Sequence, residues 1–181
     1  TGVSFTVTGL QDLIVEWNET IIVDINTVTN ATEAGVQQQT VTIIDDDSAF
    51  VQLSVSTWNI AEASWSAVFR VSTLSGVTST TGIVVTLTYG GTAISGTDYN
   101  GTTISVTIPA GQTGVSFTVT GLQDLIIEWN ETIIVDINTV TNATEAGVQQ
   151  QTVTIIDDDS AFVQMSVSTW KSAEASWSAG V

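Results

Sequence analysis

An internal repeat runs through almost the whole chain, and its length limits what the chain can fold into. The text that begins at Thr1 begins again at Thr113, an offset of 112 residues. Between residues 1–69 and 113–181 the differing pairs are Val15/Ile127, Leu53/Met165, Asn59/Lys171, Ile60/Ser172, Val68/Gly180 and Phe69/Val181. A unit of this length can bury its own core, unlike the shorter repeats of solenoid proteins. The sequence therefore predicts a slice through a tandem array of folded units.

The repeat also predicts domain boundaries inside the chain. Residues 1–47 are predicted to be the C-terminal part of one repeat, 48–159 a complete repeat, and 160–181 the N-terminal part of the next. Only Ser160 and Ala161 separate the end of the complete repeat from the next predicted strand. With so short a linker, contacts at the junction should set the angle between neighbouring repeats.

Within the complete repeat, apolar and polar residues alternate in seven short stretches that are rich in Val, Ile and Thr. The stretches are Val51–Val55, Trp65–Val71, Val85–Tyr89, Ile104–Ile108, Val115–Val119, Ile133–Ile137 and Val153–Ile155. Alternation of this kind buries one face of a strand and exposes the other. The predicted fold is all-β, a seven-stranded antiparallel Ig-like β-sandwich, with Trp65 in its core.

The charge balance and the missing residue types exclude several classes of function. Asp and Glu total 19 against 2 Lys and Arg, so the formal net charge is −17. Such a chain lacks the basic face that binding to nucleic acids or anionic membranes requires. Without Cys or His it has no thiolate metal site, cysteine nucleophile or histidine base. No apolar run reaches the roughly 20 residues that cross a bilayer, so we expect no membrane insertion in this segment.

The complete repeat contains four characteristic motifs: GGTAISGTDY at 90–99, IPAGQT at 108–113, QDLIIEWNET at 123–132 and IIDDD at 155–159. Together these motifs resemble the Calx-beta domain. The resemblance covers the whole repeat and implies a seven-stranded sandwich of about this length. It also implies tandem Calx-beta repeats of a large extracellular protein at the cell surface.

In calcium-binding members of that family, acidic residues from several loops converge at one end of the sandwich. The matching positions here are Glu62, Asp98, Asp124, Glu128, Asp157, Asp158 and Asp159. Calcium takes six to eight oxygen ligands, so a cluster of carboxylates suits it, and we expect calcium as the cofactor. Two residues depart from the family pattern: Gln123 stands where many members have a second aspartate, and Trp129 is bulky. The alternative is a solvated acidic end without calcium.

The resulting hypothesis is a structural or adhesive spacer, made rigid by calcium at the acidic junctions, whose partners are neighbouring repeats. An enzyme is not expected, because an active site copied in every repeat would be unusual. The alternatives are a homopolymer or filament assembled by strand complementation between incomplete repeats, a passive calcium-free spacer, and a sugar-binding module. Trp58 and Trp129 lie beside the acidic loops, where they would pack either at the junction or within their own loops.

Overall fold

The computed structural model describes residues 2–63 and 65–166, and these residues form fourteen strands. Their bounds are β1 Ile14–Val15, β2 Glu19–Asp24, β3 Gln38–Ile43, β4 Phe50–Val55, β5 Asn59–Ala61, β6 Ser66–Thr73, β7 Thr78–Ser79, β8 Ile83–Gly91, β9 Tyr99–Asn100, β10 Ser105–Ile108, β11 Gly114–Gly121, β12 Glu131–Thr141, β13 Thr144–Glu145 and β14 Gln150–Ile156. In the described part of the chain, no helix is long and apolar enough to span a membrane. The front part of the next repeat, predicted for 160–181, lies outside the described residues from position 167 onward.

Two five-stranded sheets form the sandwich. One sheet has the strand order β10-β8-β12-β14-β5, and the other has the order β13-β4-β6-β11-β9. Most neighbouring strands are antiparallel, whereas the short edge strands β5 and β13 pair in parallel with β14 and β4. Because β4 and β5 follow each other in the chain but lie in opposite sheets, residues 56–58 connect the two layers.

The core lies between the two sheets and follows the alternation of the sequence. In β6, Ala67, Phe69 and Val71 are buried while the residues between them face solvent, and the Phe69 ring stacks on Phe117 with 5.2 Å between centroids. The seven predicted strands correspond to β4, β6, β8, β10, β11, β12 and β14. The predicted all-β sandwich is thus confirmed, with short additional strands at the sheet edges.

Trp65 does not lie in the core, so that part of the prediction is wrong. Strand β6 begins at Ser66, and the Trp65 side chain is 63% exposed at the rim of the sandwich. Alternation predicts which face a side chain takes only within a strand. Because Trp65 precedes β6, the alternation that buries Ala67 and Phe69 does not fix the direction of its side chain.

Residues 2–47 form a separate small element at one end of the sandwich. Strands β2 and β3 pair as an antiparallel hairpin, and β1 pairs in parallel with β7. All buried hydrophobic residues of the described chain lie between Ala49 and Ile155. The sandwich therefore encloses its core without help from the hairpin.

Candidate functional site

Strand pairing brings acidic residues from four chain segments to one end of the sandwich, which we call the acidic pole. The pole comprises Glu62, Asp98, Asp124, Glu128, Glu131, Asp157, Asp158 and Asp159. Strands β5 and β14 run in parallel with Ala61 opposite Ile156, so Glu62 emerges beside the aspartates that follow β14. Strand β9 pairs with the end of β11, which brings Asp98 to the loop before β12.

Glu62, Asp124 and Asp159 form the first carboxylate triad of the pole, with one oxygen from each lying within 4.8 Å of the others. Glu62 is only 5% exposed, although it is charged at neutral pH in ordinary surroundings. Its Oε2 atom and the Oδ2 atom of Asp159 are buried and have no hydrogen-bond partner among the described residues. Buried polar atoms are normally paired, so these two oxygens are exceptions among the described residues.

Asp98, Glu128 and Glu131 form the second triad, again with one oxygen from each within 4.8 Å of the others. Asp98 is 8% exposed and is held in its turn by a hydrogen bond from the Ile94 amide to its Oδ2 atom. Glu131 is the first residue of β12, so it is fixed by the sheet rather than by a loop. In this triad, Asp98 and Glu131 are therefore held in place by the turn and by the sheet, and Glu128 lies close to both.

Hydrogen bonds within the pole fix the loop that carries Asp124 and Glu128. The Glu128 amide donates to Asp157 Oδ2 at 3.1 Å, and the Asp159 amide donates to Asp157 Oδ1 at 3.0 Å. The Gln123 side-chain amide donates to Asp158 Oδ1 at 3.2 Å. Asp157 and Asp158 therefore lie at the pole as predicted but accept hydrogen bonds there, and neither belongs to a triad.

Burial, together with repulsion between neighbouring carboxylates, raises the pKa values of four carboxyls of the pole. Burial, followed by the charges of Asp157, Asp124 and neighbouring aspartates, raises the pKa of Glu62 to about 7. Burial, followed by a hydrogen bond and charge repulsion from Asp98, raises the pKa of Glu131 to about 7. The pKa values of Glu128 and Asp159 are raised as well, first by desolvation and then by nearby carboxylates. Both triads therefore hold ionised carboxylates close together only at a cost in free energy.

The donor set of the pole fits a hard divalent cation. Every candidate side-chain ligand is a carboxylate oxygen, and the sequence contains no His or Cys to favour a transition metal. A cation between Glu62 and Asp159 would supply the partner that their buried oxygens lack. The residues present thus fit calcium.

Five of the seven predicted ligand residues belong to a triad, and the structure adds one residue that the sequence analysis left out. Glu131 follows Glu128 by three residues, and its place at the start of β12 brings it back to the pole. The signal for it was this Glu-x-x-Glu spacing beside a predicted strand. Trp58 and Trp129 are both exposed, and Trp129 is 91% exposed beside Glu128.

Comparison with known proteins gives one family and a group of similar folds. The Calx-beta domain model matches residues 2–47 and 45–159. Structures of CBD12 from CALX1.2 and of the calcium binding domain CBD12 of CALX1.1 each match with 22% identity and a TM-score of 0.51, over 60% of this chain and 45% of theirs. The Calx CBD2 domain matches with 12% identity and a TM-score of 0.51, over 64% of this chain and 91% of its own. A comparison with curated protein sequences gave no match.

Proposed function

The chain belongs to the Calx-beta domain family, and from this premise we propose that it is a calcium-binding structural module of an extracellular repeat protein. Its acidic pole binds calcium, and its repeats act as a spacer that holds a more distal part of the protein away from the cell surface. Its direct partners are the neighbouring repeats of the array. It has no catalytic role, since its carboxylates lie in a pole that is copied from repeat to repeat.

The buried, unpartnered oxygens of Glu62 and Asp159 carry this proposal. An acidic cluster in solvent is common and needs no ligand, but a carboxylate that is 5% exposed, beside other carboxylates and without a hydrogen-bond donor, is unstable in its ionised form. A protein that kept this arrangement only for solubility would place these groups in water. The calcium binding domain CBD12 of CALX1.1 has a similar fold, which also supports the proposal.

Each triad would supply ligands from different segments of the chain. Glu62, Asp124 and Asp159 would hold one ion, and Asp98, Glu128 and Glu131 would hold a second. Bound calcium supplies positive charge and cross-links segments that otherwise repel one another. Because the ion binds the folded state, it raises the free energy of unfolding by linkage, about 2.7 kcal/mol when free calcium is 100 times the dissociation constant.

A homopolymer assembled by strand complementation is a second candidate, favoured by exposed apolar segments outside the sandwich. Phe5 and Val7 are exposed in the segment before the hairpin, and Phe162, Val163 and Met165 are exposed after the acidic run. In the complete repeat the equivalents of these segments pair and pack within one sheet, as β11 and β4. Sedimentation of the chain over a range of concentrations tests this candidate, since polymers should grow with concentration, and a strict monomer would contradict it.

Thermal unfolding with calcium and with chelator tests the calcium proposal. We expect a higher melting temperature in about 10 mM calcium, above the roughly 10⁻⁴–10⁻³ M dissociation constants of extracellular calcium modules. The change Asp159→Asn should remove most of this increase. The matched control is Asp47→Asn, the same residue one repeat earlier, which should leave the increase intact. A melting temperature that does not respond to calcium would leave a passive spacer instead.

A further inference from the structure

A short pair of parallel strands joins residues 2–47 to the sandwich. Strand β1 lies beside β7, with Ile14 opposite Thr78 and Val15 opposite Ser79. The Thr78 amide donates to the Leu13 carbonyl and the Thr80 amide to the Val15 carbonyl, both at 3.0 Å. The Thr80 hydroxyl also donates to the Val15 carbonyl at 3.3 Å. A loop of the first repeat thus completes the edge of the next one.

Side chains reinforce this backbone pairing. Among the described residues of segment 2–47, Val15 is the one hydrophobic residue whose side chain packs against the buried core of the sandwich. Beside it, Trp17 lines a crevice with Thr80, Thr81 and Asn142. The contact therefore joins an apolar anchor to a strip of backbone hydrogen bonds, as in the addition of a strand to an exposed sheet edge.

The repeat contains a second copy of the docking segment. Residues 13–17 correspond to 125–129 by the 112-residue offset, and the two differ only in Val15 against Ile127. The anchor Val15 is half-buried, whereas its counterpart Ile127 is 55% exposed, and Leu125 is 90% exposed against 54% for Leu13. Trp17 and Trp129 are exposed in both copies. An apolar segment exposed on a loop is costly unless a partner covers it.

We propose that Leu125–Trp129 is a docking strand whose partner is the Thr78–Thr80 edge of another copy of the repeat. The contact already present between Leu13–Trp17 and Thr78–Thr80 shows which surface fits it. This inference rests on the spacer function proposed above, for which it names the junction. The docking strand contains Glu128 of the second triad, but the contact itself would use the carbonyls of Leu125 and Ile127 and the Ile127 side chain, so we expect it to form without calcium.

The polarity of the contact makes it suitable for an array. The docking strand lies at the acidic pole. Thr78–Thr80 lies at the other end, where the chain enters the sandwich: it follows a turn in which the Leu74 amide donates to the carbonyl of Phe50, the first residue of β4. A contact between two different surfaces of identical units continues head to tail without closing. The two-residue linker gives a high effective concentration, so pairing over two residues is sufficient within one chain.

Amide exchange in the 181-residue chain tests the existing junction. The change Val15→Asp should make the Thr78 and Thr80 amides exchange about tenfold faster or more, because it releases β1 from β7. The control Val36→Asp introduces the same side chain at an exposed position of the same segment and should leave both amides protected. If the Thr78 and Thr80 amides exchanged at the same rate in the two variants, the proposed junction between β1 and β7 would be wrong.

A tandem of two copies of residues 48–159 tests the docking strand at 125–129. Each copy can fold by itself, because all buried hydrophobic residues of the described chain lie between Ala49 and Ile155. We expect the Thr78 and Thr80 amides to be protected in the second copy, which has a docking strand before it, and to exchange about tenfold faster in the first. Ile127→Asp in the first copy should abolish the difference, whereas Ile104→Asp, also at an exposed isoleucine, should keep it.

Equal exchange in the two copies of the unmodified tandem would overturn the docking strand. The measurement is made in chelator and again in calcium, which keeps it separate from the calcium proposal. Protection that persists in chelator supports docking even if calcium leaves the melting temperature unchanged. A calcium-dependent melting temperature with equal exchange would keep the proposed function and reject this junction.

Discussion

Residues 2–47 and 114–159 carry nearly the same sequence in two surroundings, and their structures separate local from long-range effects. Hairpin β2–β3 pairs Glu19 with Ile43, and β12–β14 pairs Glu131 with Ile155, which is the same register one repeat later. The second hairpin lies inside the sandwich and the first does not. The hairpin and its register are therefore encoded locally, by alternation and by the loop between its strands.

The loop hydrogen bonds of the acidic pole also recur in both copies. The pairs are Gln11–Asp46 and Gln123–Asp158, Ile14–Asp12 and Ile126–Asp124, Glu16–Asp45 and Glu128–Asp157, and Asp47–Asp45 and Asp159–Asp157. These loops reach the same conformation with or without the rest of a repeat around them. The conformation of the pole loops is thus a local property of the sequence.

Burial and the carboxylate triads differ between the two copies. Both triads include a residue from the first half of the repeat, Glu62 or Asp98, and among the described residues segment 2–47 contributes to neither triad. Phe117 is 8% exposed, while its counterpart Phe5 is 74% exposed. The comparison teaches that the loops form locally, whereas the core and the ion cage require both halves of a repeat.

The largest expected effect comes from the two phenylalanines. Phe117→Ala should lower the free energy of unfolding by about 3–5 kcal/mol, because it removes a buried ring that stacks on Phe69. Phe5→Ala, the identical change one repeat earlier, should alter it by less than about 0.5 kcal/mol. Urea unfolding of both variants measures the difference. Similar losses would mean that segment 2–47 is packed in solution and would break the comparison.

A pH dependence in chelator should follow from the two carboxyls with raised pKa values. Glu62 and Glu131 have a pKa of about 7 in the folded chain against an ordinary value of 4.5, so the folded state binds more protons than the unfolded state between these values. The stabilising contribution of these two groups is then fully present below about pH 4.5 and is lost as the pH rises through about 7. Thermal unfolding across this range should show the melting temperature falling as pH increases.

Glu62→Gln identifies the source of that dependence. Removing this carboxyl should flatten the decline and raise the melting temperature at pH values above about 7, because the repulsion from Asp157 and Asp124 disappears. Saturating calcium should flatten the decline in the unmodified chain as well, since a bound cation keeps both carboxyls ionised. A decline that Glu62→Gln leaves unchanged would assign it to other carboxyls.

A smaller effect should distinguish Glu131 from its counterpart Glu19. Glu131→Gln removes one member of the second triad and should weaken calcium binding by about tenfold, the lower end of the range seen when groups that support a metal site are removed. Glu19→Gln makes the same change at an exposed residue of the hairpin and should leave calcium affinity unchanged. Calorimetric titration measures both. Equal affinities in the two variants would restrict calcium to the first triad.

The sequence predicted the fold well because the alternation within each strand is a local signal. Seven strands followed from that alternation, whereas the acidic pole followed from the resemblance to the Calx-beta domain. Trp65 was placed wrongly because it lies one residue before β6, where alternation no longer fixes the direction of a side chain. Glu131 was missed for a related reason: β12 begins directly at the pole, so a strand residue joins the loop carboxylates. Docking of Leu13–Trp17 on β7 depends on two repeats meeting in space, which alternation within one repeat does not describe.

The smallest expected effect concerns Gln123, where the sequence departs from the family pattern. Gln123→Asp replaces a donor to Asp158 with a further carboxylate, so in chelator the added repulsion should lower stability by about 1 kcal/mol or less. In calcium the new carboxylate should become a ligand, and the calcium-induced rise in melting temperature should exceed that of the unmodified chain. Gln11→Asp offers the same exchange, with the same hydrogen bond to Asp46, in a copy that meets neither Glu62 nor Asp98. If both variants gained calcium stabilisation equally, the loops alone would bind the ion, and the front half of the repeat would not be needed for the cage.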